Sequence, residues 1–357
     1  MFIESTGMVC SVGLSAEAAC AAMRAGIANF QELPYLDNQR EPIIGAMVPG
    51  LAPHLKRGER LRELLAMAVA DCLQDKITEP MECIPLLIGL AEPERPDGGL
   101  GTADDIVVQM FEKVGVRFHA QLSRTIAKGH TSGFEGLRIA KELLRDSAID
   151  ACIVCGVDSY VNATSLLWLE QNQRLKTVEN SDGVIPGEAA AAALITKIAN
   201  HDQSLLAQVM GLGFAAEKAN VLNEEPLLGL GLAGAARTAL GETGLQLHEI
   251  DFRLSDVTGE SYGFKEQALL LARVMRGRRA EFPIWHCSES IGDTGAAVGV
   301  CHLVRAFEAF EKGYAPGDRC VGFASNVTGE RAAVILQRHG NVSVSRTDRE
   351  DSTRGRA

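Results

Sequence analysis

The chain has 357 residues, of which 46% are hydrophobic and 23% charged, and this composition is ordinary for a globular protein. Its formal net charge of -11 argues against nucleic acid as a partner, because an acidic surface repels a polyanion. No apolar run reaches the length of a membrane span, and the opening MFIESTGMVCSVGLS lacks the basic start and long apolar core of a signal peptide. We therefore expect a cytoplasmic protein without a membrane span.

The elements predicted in chain order are strands that alternate with helices. RLRELLAMAVADCL has apolar residues at helical spacing, and IPLLIGLAE is typical of a buried strand that ends near Gly89. GEAAAAALITKI and AQVMGLGFAA are predicted strands, whereas LAGAARTALGETGL is predicted to be a helix with a glycine stop. FRLSDVTGES reads as a strand and a polar turn, and FKEQALLLARVM as the next helix. Parallel strands alternating with helices predict a layered α/β fold.

The segment KGHTSGFEG, from Lys128 to Gly136, lies where a short apolar run gives way to a helix-patterned stretch. A strand-to-helix junction of this kind often forms a site, because the first backbone N–H groups of the helix are free and its dipole favours negative charge. His130 is the unusual member of this segment, since it is predicted to lie at the tip of the helix.

An internal repeat connects this segment to a later one. KGHTSGFEGLRIAKELL precedes the predicted strand DACIVCGVDS, and SIGDTGAAVGVCHLVRAFEAF precedes the predicted strand RCVGFASN. In this register Gly129, His130 and Thr131 correspond to Gly292, Asp293 and Thr294. A duplicated unit predicts two similar halves, with two helix tips that face a shared cleft.

The nine cysteines are scattered without disulfide-like spacing, and we interpret them as reduced thiols that fill the core. Cys152 and Cys155 form a CxxC pair inside the apolar run DACIVCGVDS, whereas redox pairs sit at a helix N-terminus. No second pair of ligands completes a zinc site. We predict a structural role for both cysteines, and neither a metal ion nor a cofactor for the chain.

Further motifs follow one another in a defined order. GMVCSVGLSAEAACAAMRAGIANF is similar to a strand, a loop and a helix that ends in Gly; SDGVIPGEAAAAALI contains a DG turn and a GE pair before a strand; FASNVTGERAAVIL contains a glycine loop before the last strand. From Gly7 to about Arg338 this order resembles the thiolase fold, in its β-ketoacyl synthase (3-oxoacyl-ACP synthase) branch. The resemblance implies five layers (αβαβα) in two halves related by a pseudo-twofold axis, residues 1–200 and 201–340. The polar tail 341–357 is predicted to be disordered.

The catalytic residues that the resemblance implies are absent. Family synthases carry an acyl-accepting Cys at a helix tip, and two His, or a His and an Asn, stabilise the oxyanion and assist decarboxylation. The nucleophile position falls on His130, and the two partner positions fall on Asp256 and Asp293. Acyl-imidazoles hydrolyse readily, and ionised carboxylates cannot donate hydrogen bonds. We therefore expect no ketosynthase reaction by the family's mechanism.

Several interpretations of this site stay open. In the favoured one the site has decayed, and the protein is a non-catalytic binding, scaffold or accessory partner of an active synthase or of a secretion-system effector. In the second, His130 with Asp256 or Asp293 serves an acyl-thioester hydrolase or acyltransferase. The third is a ketosynthase whose nucleophile lies elsewhere. One His with two carboxylates would also suit a divalent metal ion.

The resemblance further implies a homodimer, or a heterodimer with a related subunit, because the family pairs through its central sheet. It also admits an acyl carrier protein or acyl-CoA as a ligand. The basic segment from His54 to Arg62 would be one place for the phosphopantetheine, although a solvated helix start is the more ordinary interpretation. Asp182, Gly183, Gly187 and Glu188 match a turn of the family, and we interpret them as architectural.

Overall fold

The computed structural model describes residues 1–52, 55–74, 84–96, 100–197 and 206–340. His54, the predicted boundary between residues 200 and 201, and the predicted disordered tail 341–357 lie outside these ranges. None of the helices in the described part of the chain is long and apolar enough to cross a membrane.

Ten of the strands form one large mixed sheet, and a two-stranded hairpin stands apart from it. The strands are β1 (Phe2–Cys10), β2 (Gln31–Leu36), β3 (Pro42–Gly45), β4 (Leu86–Leu90), β5 (Arg124–Ala127), β6 (Ala151–Ser159), β7 (Glu188–Thr196), β8 (Leu206–Ala216), β9 (Phe252–Ser255), β10 (Ile284–Trp285), β11 (Arg319–Ser325) and β12 (Glu330–His339). The helices are α1 (Ala16–Arg24), α2 (Arg57–Leu73), α3 (Ala103–Val114), α4 (Ser132–Leu143), α5 (Ala163–Gln171), α6 (Leu230–Thr243), α7 (Ser261–Val274), α8 (Ser288–Ile291) and α9 (Val298–Glu311).

The large sheet consists of two halves with the same strand order. The order is β10-β9-β11-β12-β8 in one half and β1-β7-β6-β4-β5 in the other, and β8 joins β1 in the middle. In the first half β1 pairs antiparallel with β7 and β7 with β6, whereas β6, β4 and β5 pair parallel. In the second half β8 pairs antiparallel with β12 and β12 with β11, whereas β11, β9 and β10 pair parallel. The repeat predicted from the sequence is therefore present as a duplicated topology.

Helices cover both faces of each half of the sheet. Helices α4 and α9 lie between the halves, because α4 contacts β4, β6 and β12, and α9 contacts β7 and β11. Helix α2 packs on the other face of the first half, next to α3, and α6 packs on the other face of the second half, next to α7. This is the predicted five-layered α/β arrangement. Nearly all of α9 is buried, in agreement with its central position.

Local sequence signals explain several of the helix ends. The side chains of Ser15, Thr102 and Asn162 accept backbone hydrogen bonds at the N-termini of α1, α3 and α5. Gly244, in a left-handed conformation with φ 71°, ends α6 where the sequence predicts a glycine stop. These caps fix where each helix begins and ends relative to the sheet.

Candidate functional site

The tip of α4 holds His130 in a tight turn. After β5 the chain turns at Lys128, and Gly129, with φ 52°, starts a 3-10 turn that leads directly into α4. The hydroxyl of Thr131 donates to the Lys128 carbonyl at 2.9 Å, and the hydroxyl of Ser132 donates to the Ile126 carbonyl at 2.9 Å. These bonds hold the turn, and His130 is only 4% exposed.

The tip of α9 repeats this backbone at Thr294 and Gly295. Thr294 (φ -109°, ψ 15°) resembles Lys128 (φ -125°, ψ 14°), and Gly295, with φ 50°, starts a 3-10 turn as Gly129 does. The register predicted from the sequence, which matched Gly129 with Gly292, is therefore wrong by three residues. His130 corresponds to Ala296, and Asp293 lies just before the second tip.

The two tips meet, as predicted. A side chain at Gly133 would collide with the backbone of Val300, and one at Gly299 would crowd the carbonyl of His130. Glycine at these two positions lets α4 and α9 approach closely at their N-termini. Residues from the two halves of the chain can therefore form one site.

His130 and Asp293 form a buried ion pair across this junction. Nε2 of His130 lies 2.9 Å from Oδ1 of Asp293, and the same oxygen accepts a hydrogen bond from the Gly295 N–H at 2.9 Å. Burial by itself would lower the pKa of His130, but the charge and hydrogen bond of Asp293, helped by Asp256 and Glu92, outweigh it and raise the pKa to about 9. At neutral pH His130 is thus an imidazolium, which donates to the carboxylate.

The electrostatics of Asp293 match this assignment. Burial would raise the pKa of Asp293, but the charge and hydrogen bond of His130, then Arg174 and the Gly295 N–H, lower it to about 2. Asp293 is therefore ionised across the physiological range, and it is unable to donate a hydrogen bond.

Asp256 follows β9 and lines the same cleft, but it is bonded elsewhere. Its Oδ2 accepts a hydrogen bond from the backbone N–H of Ser325 at 2.6 Å. Burial raises the pKa of Asp256 to about 6, and Glu266 adds to this, while His130, the Ser325 N–H and Arg331 oppose it. The three residues predicted to converge thus line one cleft, where His130 and Asp293 are bonded and Asp256 contributes a nearby carboxyl group.

The cleft itself is small and polar. Its volume is about 50 Å³, whereas pockets for small organic ligands usually measure about 300–1,000 Å³. Two buried ion pairs form part of its wall: Arg174 binds Glu260 through Nε and Nη2 at 2.7 and 2.8 Å, and Nε of Arg331 binds Glu266 at 2.6 Å. The cleft formed by the described residues therefore has room for a few water molecules and is too small for an acyl chain.

The basic segment predicted as a solvated helix start instead points largely inward. Arg60 binds the buried Glu188 through Nε at 2.9 Å, Arg57 lies 3.4 Å from Asp158, and Arg62 donates to the Leu100 carbonyl at 3.0 Å. That prediction was wrong for these three residues. The sequence feature that could have indicated this arrangement is Glu188, a carboxylate in an otherwise apolar strand, because a buried charge requires a partner of opposite charge.

Sequence reasoning also missed Arg95, which is fully buried and paired with Asp158. Its guanidinium lies 4.2 Å from the ring centroid of Tyr160, which is itself fully buried. No spacing in the sequence marks this contact, because Arg95 lies in the loop after β4, whereas Asp158 lies near the end of β6.

No cysteine of the described residues lines the cleft, and the eight described cysteines are all buried and free. Cys152 and Cys155 lie in β6, and burial raises the pKa of both thiols. Burial likewise raises the pKa of Cys287. Nothing in this part of the chain supplies the displaced nucleophile that a conventional ketosynthase would need.

The geometry also disfavours the metal interpretation. Among the described residues, no group of three or more His, Cys, Asp or Glu side chains is arranged so that it could hold a metal ion. His130 directs Nε2 at Asp293, and Asp256 is bonded to Ser325.

Several solved structures with the same architecture are ketosynthases or complexes of ketosynthases. The complex of a ketosynthase with its chain length factor from Xenorhabdus doucetiae matches with a TM-score of 0.74 and 13% identity, over 94% of this chain and 97% of that chain. The ishigamide ketosynthase/chain length factor matches with a TM-score of 0.70 and 19% identity, over 95% and 99%. A type II polyketide synthase acyl-carrier protein complex with its hexaketide-bound ketosynthase gives a TM-score of 0.76 and 14% identity, over 94% and 98%.

The chain has the thiolase-like fold of the ketosynthases. No family model matches the sequence, and no curated protein matches it either. Because the sequence identities are below 20%, the likeness of these structures shows the fold alone, and the function has to be argued from the site.

Proposed function

We propose that this protein is a ketosynthase-like subunit that has lost condensation chemistry and acts as a non-catalytic partner of a chain of the same fold. The buried His130–Asp293 ion pair at the helix tips carries this proposal. It occupies the place where the resemblance puts the nucleophile and one of its two partners.

The protonation of this pair argues against catalysis. A general base must be unprotonated near the working pH, and a His with a pKa of about 9 is cationic at neutral pH. An oxyanion needs hydrogen-bond donors, and the ionised Asp293 offers only acceptors and a repelling charge. A hydrolase or acyltransferase that used His130 as a general base would first have to remove a proton from its imidazolium.

The size of the cleft supports the same conclusion. With a volume of about 50 Å³ and charged side chains on its wall, it cannot enclose an acyl chain together with the end of a pantetheine arm. The proposed role is therefore exerted through the surface of the protein, and acyl carrier protein or acyl-CoA is not expected to deliver a substrate to His130.

The sheet edge at β5 supports pairing with a second chain. β5 pairs with β4 on one side, and within the described residues its other edge has no strand partner. Unpaired edges of this kind readily add a strand from another chain. Structures with this fold include a ketosynthase in complex with its chain length factor, and we propose that this chain pairs with a related subunit or with a second copy through β5.

Acyl transfer is the direct test of the lost chemistry. The purified protein is incubated with a panel of acyl- and malonyl-thioesters while intact mass and free thiol are followed, beside His130→Gln and His130→Ala. The matched control is His339→Gln, which changes a histidine at the end of β12, far along the chain from the tip. We expect no covalent adduct and no thiol release above background in any variant.

Thiol release that survives His339→Gln but disappears in both His130 variants would overturn the proposal in favour of a hydrolase or acyltransferase. A covalent adduct that persists in the His130 variants would point instead to a ketosynthase with a nucleophile elsewhere.

Pairing is tested separately by sedimentation of the purified chain, alone and after co-expression with a candidate synthase subunit. We expect a mass of two chains, against 38.2 kDa for one. The double variant Arg124→Asp, Ala127→Asp reverses one charge and adds a second negative charge on β5, and it is expected to abolish the dimer, while Ala18→Asp, exposed on α1, retains it. Dimers that persist unchanged in the double variant would rule out the β5 edge.

A further inference from the structure

A second cavity lies in the groove between α1 and the C-terminal end of α9. Its volume is about 400 Å³, within the usual range of small-ligand sites, and it shares no residue with the cleft at His130. Glu308 is ten residues beyond the first residue of α9, so it lies about 15 Å along the helix from the tip that forms the cleft. The groove is lined by Cys20, Ala21, Ala25, Glu308, Lys312 and Tyr314.

Glu308 is the unexplained feature of this groove. As a whole residue Glu308 is only 7% exposed, and its carboxyl group borders the groove without a hydrogen-bond or ion-pair partner within the described residues. A buried carboxylate without a partner is unfavourable, and such groups are normally paired. Glu308 also lies in the last turn of α9, where the carbonyl end of the helix dipole repels an anion and favours a cation.

The other charged groups of the groove leave Glu308 unsatisfied. Lys312 lies 3.2 Å from Glu17 and 3.8 Å from Glu311, both on the rim. The guanidinium of Arg24 lies over the ring of Tyr314, 4.5 Å from its centroid. Both cations of the groove are thus directed at groups other than Glu308.

The protonation of Glu308 agrees with a missing cation. Burial, followed by the negative charges of Glu311, Glu17 and Asp71 and opposed by Lys312, raises the pKa of Glu308 to about 7. A bound cation would reverse this shift, because an opposite charge favours the ionised form of a carboxyl group.

We propose that this groove binds an organic ammonium group on an aliphatic chain. The ammonium donates hydrogen bonds to the Glu308 carboxylate, and the aliphatic chain lies on the apolar surface of Cys20, Ala21 and Ala25. A carboxylate ligand is excluded because it would meet Glu308 and the negative end of α9. A neutral ligand would leave the carboxylate uncompensated.

The test compares three ligands that share one alkyl chain: n-pentylamine, 1-pentanol and pentanoate. Binding to the full chain at pH 7 is measured by ligand-observed NMR and calorimetry. For a ligand of this size we expect an affinity on the order of millimolar for the amine, and binding at least about tenfold weaker for the alcohol and the acid. Nα-acetyl-lysine methylamide carries the same ammonium group on a lysine side chain. Its affinity relative to n-pentylamine shows whether the groove accepts a lysine of a peptide or only a free amine.

Two variants and one control locate the binding. Glu308→Gln is expected to weaken amine binding about tenfold, since the ion pair becomes a hydrogen bond between the ammonium and an uncharged amide. Ala21→Trp fills the groove from the exposed face of α1 without changing Glu308, and it is expected to abolish binding. Glu311→Gln removes an exposed carboxylate on the rim of the groove, and it is expected to change binding by at most about twofold, because exposed charges are screened by solvent and salt. Equal affinity for amine, alcohol and acid, or equal loss in Glu308→Gln and Glu311→Gln, would overturn the proposal.

Discussion

The tips of α4 and α9 have the same backbone but different side chains. Both tips begin at a residue of closely similar φ and ψ, both continue through a glycine with φ near 50°, and both lead from a 3-10 turn into a long helix. One tip carries the cationic His130, and the other carries Ala296, with the anionic Asp293 before it.

The comparison separates what the fold requires from what the site contains. The glycines and the close contact of the helices preserve the turn in both halves of the chain, and the chemistry of the side chains has diverged on it. A conserved-looking turn is therefore no evidence for a conserved reaction, because backbone geometry and catalytic groups are determined by different residues.

The largest expected effect comes from replacing the glycines of the two turns. An added methyl group at Gly295 would collide with Asp158, which Arg95 and the Ala296 N–H hold in place, and φ would be strained as well. We expect Gly295→Ala to lower the free energy of unfolding by about 4 kcal/mol. The measurement is urea unfolding.

Gly129→Ala sharpens the comparison, because the methyl group there would meet the end of the Glu92 side chain, which can swing aside. The expected loss is about 2 kcal/mol. Gly313→Ala, with φ 68° and no atom nearby, is the control for strain alone, at about 1 kcal/mol. Equal losses at Gly129 and Gly313 would show that the added methyl group at Gly129 costs only backbone strain and that Glu92 does not pack against this turn.

The second effect is on the pH dependence of stability. The pKa of His130 in the folded chain, about 9, lies above the ordinary value of about 6.5, so the ion pair stabilises the fold fully below about pH 6.5. This contribution, up to about 3 kcal/mol, is lost as the pH rises through 9. Urea unfolding between pH 6.5 and 9.5 should show the decline in the native chain and a flatter profile in His130→Gln.

The titration of His130 itself provides the matching control. Followed by NMR, its pKa should fall in Asp293→Asn, because the amide keeps the shape of the side chain and removes its charge. A pKa of His130 near or below 6.5 in the native chain would contradict the ion pair and restore the case for a general base.

The smallest expected effect concerns Asp256. Burial raises the pKa of this carboxyl group to about 6. At pH 7 it is therefore ionised in surroundings that favour the neutral form, and this lowers the stability of the folded chain. Asp256→Asn retains an acceptor for the Ser325 N–H and is expected to raise the free energy of unfolding at pH 7 by about 1 kcal/mol, measured by urea unfolding. A loss of stability in Asp256→Asn would show that the attraction between the Asp256 carboxylate and the His130 imidazolium outweighs the cost of burying the carboxylate.

Much of the fold could be predicted from the sequence, because hydrophobic periodicity and glycine positions are local signals. The duplication, the helix at Leu230–Thr243 with its glycine stop, and the meeting of the two tips all followed from such signals. The register of the repeat could not be predicted from the sequence. The pattern Gly-x-Thr occurs at residues 129–131 and 292–294, but the glycines with equivalent backbone conformation are Gly129 and Gly295.

The sequence by itself determined the layered α/β class, the repeat and the absence of a cysteine at the tip of α4, since each depends on residue type and spacing along the chain. Only the tertiary structure decided that His130 is held by Asp293, that Arg60 and Arg95 are buried partners of distant carboxylates, and that the cleft is nearly filled. Charge pairing and cavity size depend on distances between residues that are far apart in the chain, and spacing in the sequence does not contain those distances.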